Sequence, residues 1–199
     1  MKLCVFQGTF NPIHNAHLGV CEYIVKNLNF DKVLLIPAQN PPHKELDLSL
    51  AAHRLEMVKL AASEHDYLGV SDIEYRRNTP SYTYETIKQL YNDYEIDGKI
   101  NFIIGTDAFR KIESWYESDK LKELVDFLLF LRDNEYDSES FENLRAKGYN
   151  FRLMKMPFND ISSTQIRNLA ANSKPISNIV PKSIEEYIKK HGLYRIHKI

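Results

Sequence analysis

The feature that most constrains the fold is a regular alternation of short apolar runs with segments of helical periodicity. Six such runs follow one another along the chain, at residues 2–6, 33–37, 67–71, 100–105, 127–131 and 151–154. Short apolar runs separated by helical segments are typical of parallel strands joined by crossover helices. The sequence therefore predicts an α/β fold built on a parallel sheet.

Two of the intervening segments show clear helical faces, and two helix ends can be placed near the C terminus. The apolar residues of the first face are Leu18, Cys21, Val25 and Leu28, and those of the second are Ala51, Leu55, Val58 and Ala62. Both faces are expected to cover the sheet. Ser162 and Gln165 fit a capping box, which predicts a helix that begins at Ser162 or just after it. Pro181 is expected to open the last helix, and Gly192 to end it.

Composition and charge limit the class of protein. Twenty-six basic and 27 acidic residues leave a formal net charge of -1, so the surface as a whole is not built to attract nucleic acid or an anionic membrane. Cys4 and Cys21 lie in apolar stretches without the spacing of a zinc site or a disulfide framework. No apolar run is long enough to span a bilayer, and no signal-like region develops. We expect one soluble, cytoplasmic domain, and the sequence leaves a homo-oligomer open.

Polar residues follow four of the six apolar runs. The four groups are Gln7-Gly8-Thr9-Phe10-Asn11-Pro12, Asn40-Pro41-Pro42-His43-Lys44, Gly105-Thr106-Asp107 and Ile161-Ser162-Ser163-Thr164. In open parallel sheets, ligands bind at the carboxyl ends of the strands. We therefore expect the functional site at this edge of the sheet.

His14 and His17 follow the first of these groups, at the predicted start of the first helix. Residues three apart on a helix face the same way. Two imidazoles beside the N–H groups of a helix start suit a polyphosphate. The spacing alone also allows a pair of surface histidines or half of a metal site, although no third ligand stands at the spacing of a zinc site.

Two cationic patterns each allow a structural and a functional interpretation. Pro41-Pro42 places a stiff turn before His43 and Lys44, which taken alone is typical of a solvated loop. Ser162, Ser163 and Thr164 stand one turn before Arg167. Capping needs only one hydroxyl, so three of them beside an arginine favour phosphate contacts.

Aromatic residues and another helix start indicate where a planar ring and a carboxylate would bind. Trp115 is the single tryptophan, and it would serve either the core or the stacking of a heterocycle; a pyridinium ring adds a cation–π attraction. Tyr82 and Thr83 precede a predicted helix, where main-chain N–H groups can hold a carboxylate. An ordinary helix start is the alternative for this second pattern.

In this order and at these intervals, the motifs resemble one family. They resemble those of the bacterial nicotinate-mononucleotide adenylyltransferases. This family belongs to the broader group of adenylyl- and cytidylyltransferases with a His-x-Gly-His motif. The similarity begins with the segment from Gln7 to His17 and extends to the Gly192-Leu193-Tyr194-Arg195 segment. The resemblance implies a Rossmann-like doubly wound parallel sheet with a small C-terminal helical part over about residues 160–199. Residues 1–199 would then form a single nucleotidyltransferase domain.

The resemblance also implies an activity and a set of site residues. The implied reaction transfers AMP from ATP, with Mg²⁺ carried by the ATP, to nicotinate mononucleotide, and gives deamido-NAD and pyrophosphate. The implied ATP-binding residues are Gly8, Thr9, Phe10, His14, His17, Gly105, Asp107, Ser162, Ser163, Thr164 and Arg167. The implied acceptor-binding residues are Gln7, Thr9, Asn11, His43, Lys44, Tyr82, Thr83 and Trp115. The implied catalytic residues are His14, His17, Lys44 and Arg167.

Three positions depart from the family pattern. Gln7 stands in place of the first glycine of a Gly-Gly pair, Asn11 in place of aspartate, and Ala16 in place of the glycine of His-x-Gly-His. Gln7 is the largest change and bears on the choice of acceptor, because it would narrow the acceptor pocket or supply a new amide contact. The alternatives are nicotinamide mononucleotide or phosphopantetheine as acceptor, or a non-catalytic nucleotide-binding regulator of the same fold.

Overall fold

Six strands form one parallel sheet in the computed structural model, which describes residues 2–42, 47–131, 138–156 and 160–195. The strands are β1 (Cys4–Gly8), β2 (Val33–Pro37), β3 (Leu68–Val70), β4 (Ile100–Gly105), β5 (Val125–Phe130) and β6 (Phe151–Leu153). Their order across the sheet is β3-β2-β1-β4-β5-β6, with every neighbouring pair parallel. This order is that of a doubly wound nucleotide-binding fold, so the predicted fold class is confirmed.

The helices connect the strands and cover both faces of the sheet. They are α1 (Asn15–Leu28), α2 (Ala51–Ala62), α3 (Thr83–Asp93), α4 (Thr106–Phe109), α5 (Ser118–Leu124), α6 (Ser138–Ala146), α7 (Ser163–Ala171) and α8 (Lys182–Lys190), with 3-10 turns at Leu48–Leu50, Ile73–Arg76 and Ile112–Ser114. The predicted cap of α7 is confirmed, because Ser162 Oγ accepts from Gln165 N at 3.2 Å. Pro181 opens α8 and Gly192, at φ 60°, follows its end, also as predicted.

The sheet separates two apolar cores. Along β1, Cys4 and Phe6 belong to one core, whereas Val5 belongs to the other, as the alternation of side chains along a strand requires. The first core is closed by α1, α2, α7 and α8, and the second by α3, α5 and α6. Ile166 of α7 and Ile184 of α8 are fully buried in the first core, so the C-terminal helices share their apolar interior with α1 and α2.

The structure corrects three details of the predicted elements. β1 extends to Gly8, because Gln7 and Gly8 pair with Ile36 and Pro37 of β2; both residues therefore end the strand rather than follow it. The buried faces of α1 and α2 are turned slightly from those predicted. The buried residues of α1 are Ala16, Leu18, Val20, Cys21 and Ile24, and those of α2 are Arg54, Met57, Val58, Ala61 and Ala62.

Within the described ranges, no helix is both long and apolar enough to cross a membrane.

Candidate active site

The turn after β1 is tightly packed around the ring of Phe10. Phe10 has a φ of 46° and is 2% exposed. Its ring lies edge-on to Phe6, at 5.4 Å between centroids, and to His17, at 5.0 Å. The ring also covers Gly8, where a Cβ atom would lie 2.9 Å from Phe10 Cζ. The close approach of this ring explains why the end of β1 requires a glycine.

Replacing Gly8 with alanine is therefore expected to destabilise the protein. The added methyl group has to displace Phe10, which Phe6 and His17 hold in place. Overpacking of this kind lowers the free energy of unfolding by about 1–3 kcal/mol, which thermal melting would measure. Gly19→Ala is the matched control, because a Cβ there meets nothing within 4 Å and alanine in a helix interior stabilises by about 0.5–1 kcal/mol. Equal melting temperatures for the two variants would contradict this account.

His14 and His17 come together at the N terminus of α1. Their rings stack, with centroids 3.6 Å apart and an angle of 24° between the planes. His14 N donates to His17 Nδ1 at 3.3 Å, which fixes the second ring against the helix start. His14 is 1% exposed, whereas His17 is half-buried. The predicted common face of the two imidazoles is thus present, next to the main-chain N–H groups that begin the helix.

The start of α7 binds the same turn from the other side. Arg167 Nη1 donates to Asn11 O at 2.9 Å, and Nη2 donates to Thr164 Oγ1 at 3.1 Å. Ser163 Oγ donates to Pro12 O at 3.0 Å. A guanidinium group has five N–H donors, and these two bonds use two of them. Arg167 therefore orients the turn and retains further donors for a phosphate.

Tyr194 provides a third contact to this turn. Its hydroxyl donates to Asn11 Oδ1 at 2.8 Å, so the Asn11 side chain is held by a residue far along the chain. Burial raises the pKa of the Tyr194 hydroxyl, which outweighs the lowering effect of Arg167. The hydroxyl therefore stays protonated and serves as a donor. The motif match included this segment, but the sequence indicated no role for Tyr194.

A cavity of about 560 Å³ opens beside the turn, at the carboxyl ends of β1 and β4. Its volume is in the range of small-molecule sites. The predicted site residues that line it are Gln7, Gly8, Thr9, Tyr82, Thr83, Gly105, Asp107 and Trp115, and Pro41 and Pro42 line it as well. His43 and Lys44, which the sequence placed in this site, lie outside the described residues. The structure therefore brings together residues from five separate predicted motifs.

Aromatic side chains form one wall of the cavity. Trp115 is half-buried and packs edge-on against Phe102, with 6.4 Å between centroids. Tyr82 and Tyr116 stack at 4.4 Å, and Tyr116 is 46% exposed. Trp115 thus contributes to the core and also faces the cavity, so both interpretations of this residue apply. The wall offers planar surfaces to a heterocyclic ring.

The start of α3 forms the adjoining wall. Asn40 N donates to Ser81 Oγ and Ser81 N donates to Asn40 O, both at 2.9 Å. Tyr82 N donates to Pro80 O at 2.8 Å, so this N–H group is already bonded within the chain. Of the two predicted carboxylate donors, Thr83 N–H is the one to which the prediction still applies. Thr83 is the first residue of α3, and its N–H group has no carbonyl four residues earlier in the helix.

Asp107 lies on the wall formed by the end of β4. Gly105 is the N-cap of α4, and Asp107 is an exposed residue in the first turn of that helix. A carboxylate in this position interacts favourably with the helix dipole. Its implied role in binding ATP stays a prediction.

Gln7 is engaged with a buried carboxylate that sequence reasoning missed. Gln7 Nε2 donates to Glu74 Oε1, and Glu74 is 1% exposed. The Glu74 carboxylate also accepts from Thr86 Oγ1 at 2.6 Å and from Gln39 N at 3.3 Å, and it pairs with Arg77 at 3.7 Å. The amide contact considered for Gln7 is therefore made to the protein itself. No periodicity signalled Glu74, because it lies in a short polar segment.

No group of three or more His, Cys, Asp or Glu residues in the described part of the chain could hold a metal ion. The cations and N–H groups of the site instead suit a ligand that carries several negative charges.

Fold and site together define a nucleotidyltransferase, and the comparisons agree. The chain matches the cytidylyltransferase-like family over residues 5–169 and belongs to that family. Among curated relatives, a probable nicotinate-nucleotide adenylyltransferase of Staphylococcus haemolyticus is 39% identical over 193 residues, covering 96% of each chain. One from Caldicellulosiruptor bescii is 36% identical over 198 residues, covering 98% of this chain and all of its own. Within its family, the chain thus groups with the nicotinate-nucleotide adenylyltransferases.

Solved structures show the same fold. Plasmodium falciparum nicotinic acid mononucleotide adenylyltransferase complexed with NaAD is similar, with a TM-score of 0.76 and 24% identity over 97% of each chain. The same enzyme complexed with APC gives a TM-score of 0.74 and 23% identity, over 97% of this chain and 96% of that chain. This likeness supports the architecture described above.

Proposed function

We propose that the protein transfers the AMP part of ATP to nicotinate mononucleotide, giving deamido-NAD and pyrophosphate in NAD biosynthesis. The observation that carries this proposal is the juxtaposition of the stacked His14–His17 pair and the aromatic-walled cavity at the end of β1, where Phe6 lines the cavity and contacts the His17 ring at 5.7 Å between centroids. The histidine pair suits a polyphosphate, and the cavity suits a planar ring. Curated relatives that match nearly the whole chain carry the corresponding name.

The reaction needs no general base and no covalent enzyme intermediate. An oxygen of the acceptor phosphate, already anionic, attacks the α-phosphorus of ATP in line; the new P–O bond forms as the bond to the β-phosphate bridging oxygen breaks, and pyrophosphate leaves. The barrier is mainly electrostatic, so catalysis is positioning and charge stabilisation. His14, His17 and Arg167 are the described residues that would stabilise this charge, and Lys44 is the further candidate from the sequence.

Mg²⁺ would enter with the ATP. Magnesium keeps several water ligands and is commonly held by substrate phosphates rather than by a cage of protein ligands. The ion would neutralise part of the charge on the transferred phosphate and on the leaving pyrophosphate.

Reduced thiols support a cytoplasmic location. Cys4 and Cys21 are both free and buried, and burial raises the pKa of the Cys4 thiol to about 12. Free cysteines of this kind are typical of a reducing compartment.

The test is an assay of pyrophosphate release by the purified protein with magnesium, ATP and one acceptor at a time. Nicotinate mononucleotide should exceed nicotinamide mononucleotide in kcat/KM by about 10-fold or more, because a hydrogen bond to a charged carboxylate contributes about 1.5–3 kcal/mol. Equal values for the two would contradict carboxylate recognition. Pyrophosphate release with phosphopantetheine and with neither mononucleotide would show that phosphopantetheine is the acceptor. No pyrophosphate release with any acceptor would support a non-catalytic nucleotide-binding regulator instead.

A further inference from the structure

Arg54 is an arginine wholly enclosed by the protein. It lies in α2, within the face that packs on the sheet, and it is 0% exposed. Its Nη1 donates to Thr9 O at 2.8 Å and also to Ala38 O, and its Nη2 donates to Gln39 O at 2.8 Å. All three partners are main-chain carbonyl oxygens at the carboxyl ends of β1 and β2. The guanidinium group thus joins the segments that leave these two strands.

One of these segments leads to the histidine pair, and the other leads to Pro41 and Pro42 on the wall of the cavity. Thr9 begins the turn that ends at His14, and Ala38 begins the segment that reaches Pro42. Thr9 and Ala38 both line the cavity, so the guanidinium group of Arg54 lies directly behind its wall. Together with the hydrogen bond from Ala38 N to Gly8 O at 2.8 Å, this side chain therefore fixes the turn that leads to His14 against the segment that reaches Pro42.

The charge on Arg54 is not neutralised by a bonded carboxylate. Glu74 contributes a favourable electrostatic interaction, but its hydrogen bonds go to Gln7 and Thr86 rather than to Arg54. Burial lowers the pKa of the guanidinium group, which still remains protonated. Its Nε–H group finds no acceptor among the described residues. A buried cation with only neutral hydrogen-bond partners is destabilising by itself, and an anion on the far side of the wall would offset that penalty.

We propose that Arg54 is a positioning residue for adenylyl transfer, which fixes the phosphate-binding turn against the acceptor side and supplies fixed positive charge behind the reacting phosphates. This inference rests on the proposed function. Fixed charge of this kind acts in the transition state, where negative charge is concentrated, more than in substrate binding. Neither role requires Arg54 to touch a substrate.

Two substitutions separate charge from hydrogen bonding. Arg54→Gln keeps amide donors without the charge, and its kcat should fall by about 100-fold, the scale of losing one preorganised charge interaction, while the KM for ATP changes by less than about threefold. Arg54→Lys keeps the charge but cannot bond three carbonyl groups in the same fork, so its kcat should fall by about 10-fold. Lys59→Gln, an exposed cation of the same helix, is the control and should retain the original kcat.

The measurements are steady-state pyrophosphate release with ATP and nicotinate mononucleotide, together with thermal melting to give the folded fraction. A folded Arg54→Gln protein with kcat within threefold of the unchanged protein would overturn the inference. If that variant does not fold, Arg54→Lys decides alone, and an unchanged kcat would overturn the inference. Failure of the unchanged protein to release pyrophosphate would instead overturn the proposed function, so the two failures are distinct.

Discussion

Replacing His17 with alanine is expected to lower kcat by about 100-fold or more, the scale of losing one transition-state donor. Its imidazole stacks on His14 and is held by the His14 N–H group at the start of α1. The proposed role is to stabilise charge on the triphosphate as the α-phosphate is transferred. The KM for ATP should change less than kcat, because this interaction strengthens in the transition state.

His65→Ala is the matched control for this experiment. His65 precedes β3 and therefore lies at the amino ends of the strands, whereas His17 lies near their carboxyl ends. It is a half-buried histidine with a ring contact to Tyr67, so its loss tests the general effect of removing an imidazole. A His17→Ala protein that melts like the control and turns over at the original rate would remove His17 from the mechanism.

Replacing Glu74 with alanine is expected to produce the largest loss of stability. The carboxylate is 1% exposed and accepts hydrogen bonds from Gln7, Thr86 and Gln39 N. Its removal leaves these donors without their acceptor and leaves Arg77, at 18% side-chain exposure, without its ion-pair partner. Breaking a buried pair by removing one partner lowers the free energy of unfolding by about 3 kcal/mol.

A loss of this size corresponds to a fall of about 6–12 °C in melting temperature for a domain of this length. Glu113→Ala is the control, because Glu113 pairs with Lys147 while both side chains are about half exposed. Removing an exposed pair changes stability by about 1 kcal/mol or less. Equal falls in melting temperature for the two variants would contradict the expected contribution of the buried Glu74 network to stability.

The fold was predictable because the strands are nearly uninterrupted apolar runs. The predicted runs at residues 33–37 and 100–105 coincide with β2 and β4. The boundary of β1 was less accurate, because Gln7 and Gly8 are not apolar, and only their pairing with β2 makes them part of the strand. Polar strand ends are thus recognised from pairing partners, which hydrophobic periodicity does not contain.

Segments of the candidate site were predictable from motifs, whereas the residues that support them were not. His14, His17 and Arg167 lie where the motifs placed them, around one turn. Arg54 and Glu74 were missed, because each gains its importance from a partner distant in sequence. One signal was available for Arg54: it lies three and four residues before Met57 and Val58, and therefore on the apolar face of α2.

The hydrogen bond between Tyr194 and Asn11 spans 183 positions of sequence. Long-range contacts form late in folding, because the entropy of closing the intervening chain must be overcome first. A ribosome-bound chain that has exposed β1 but not yet the residues around Tyr194 lacks this contact, and one that has not yet exposed α7 also lacks the bonds from Ser163 and Arg167 to the same turn. We therefore expect nucleotide binding to mature only after the residues around Tyr194 have left the ribosome, later than the sheet itself.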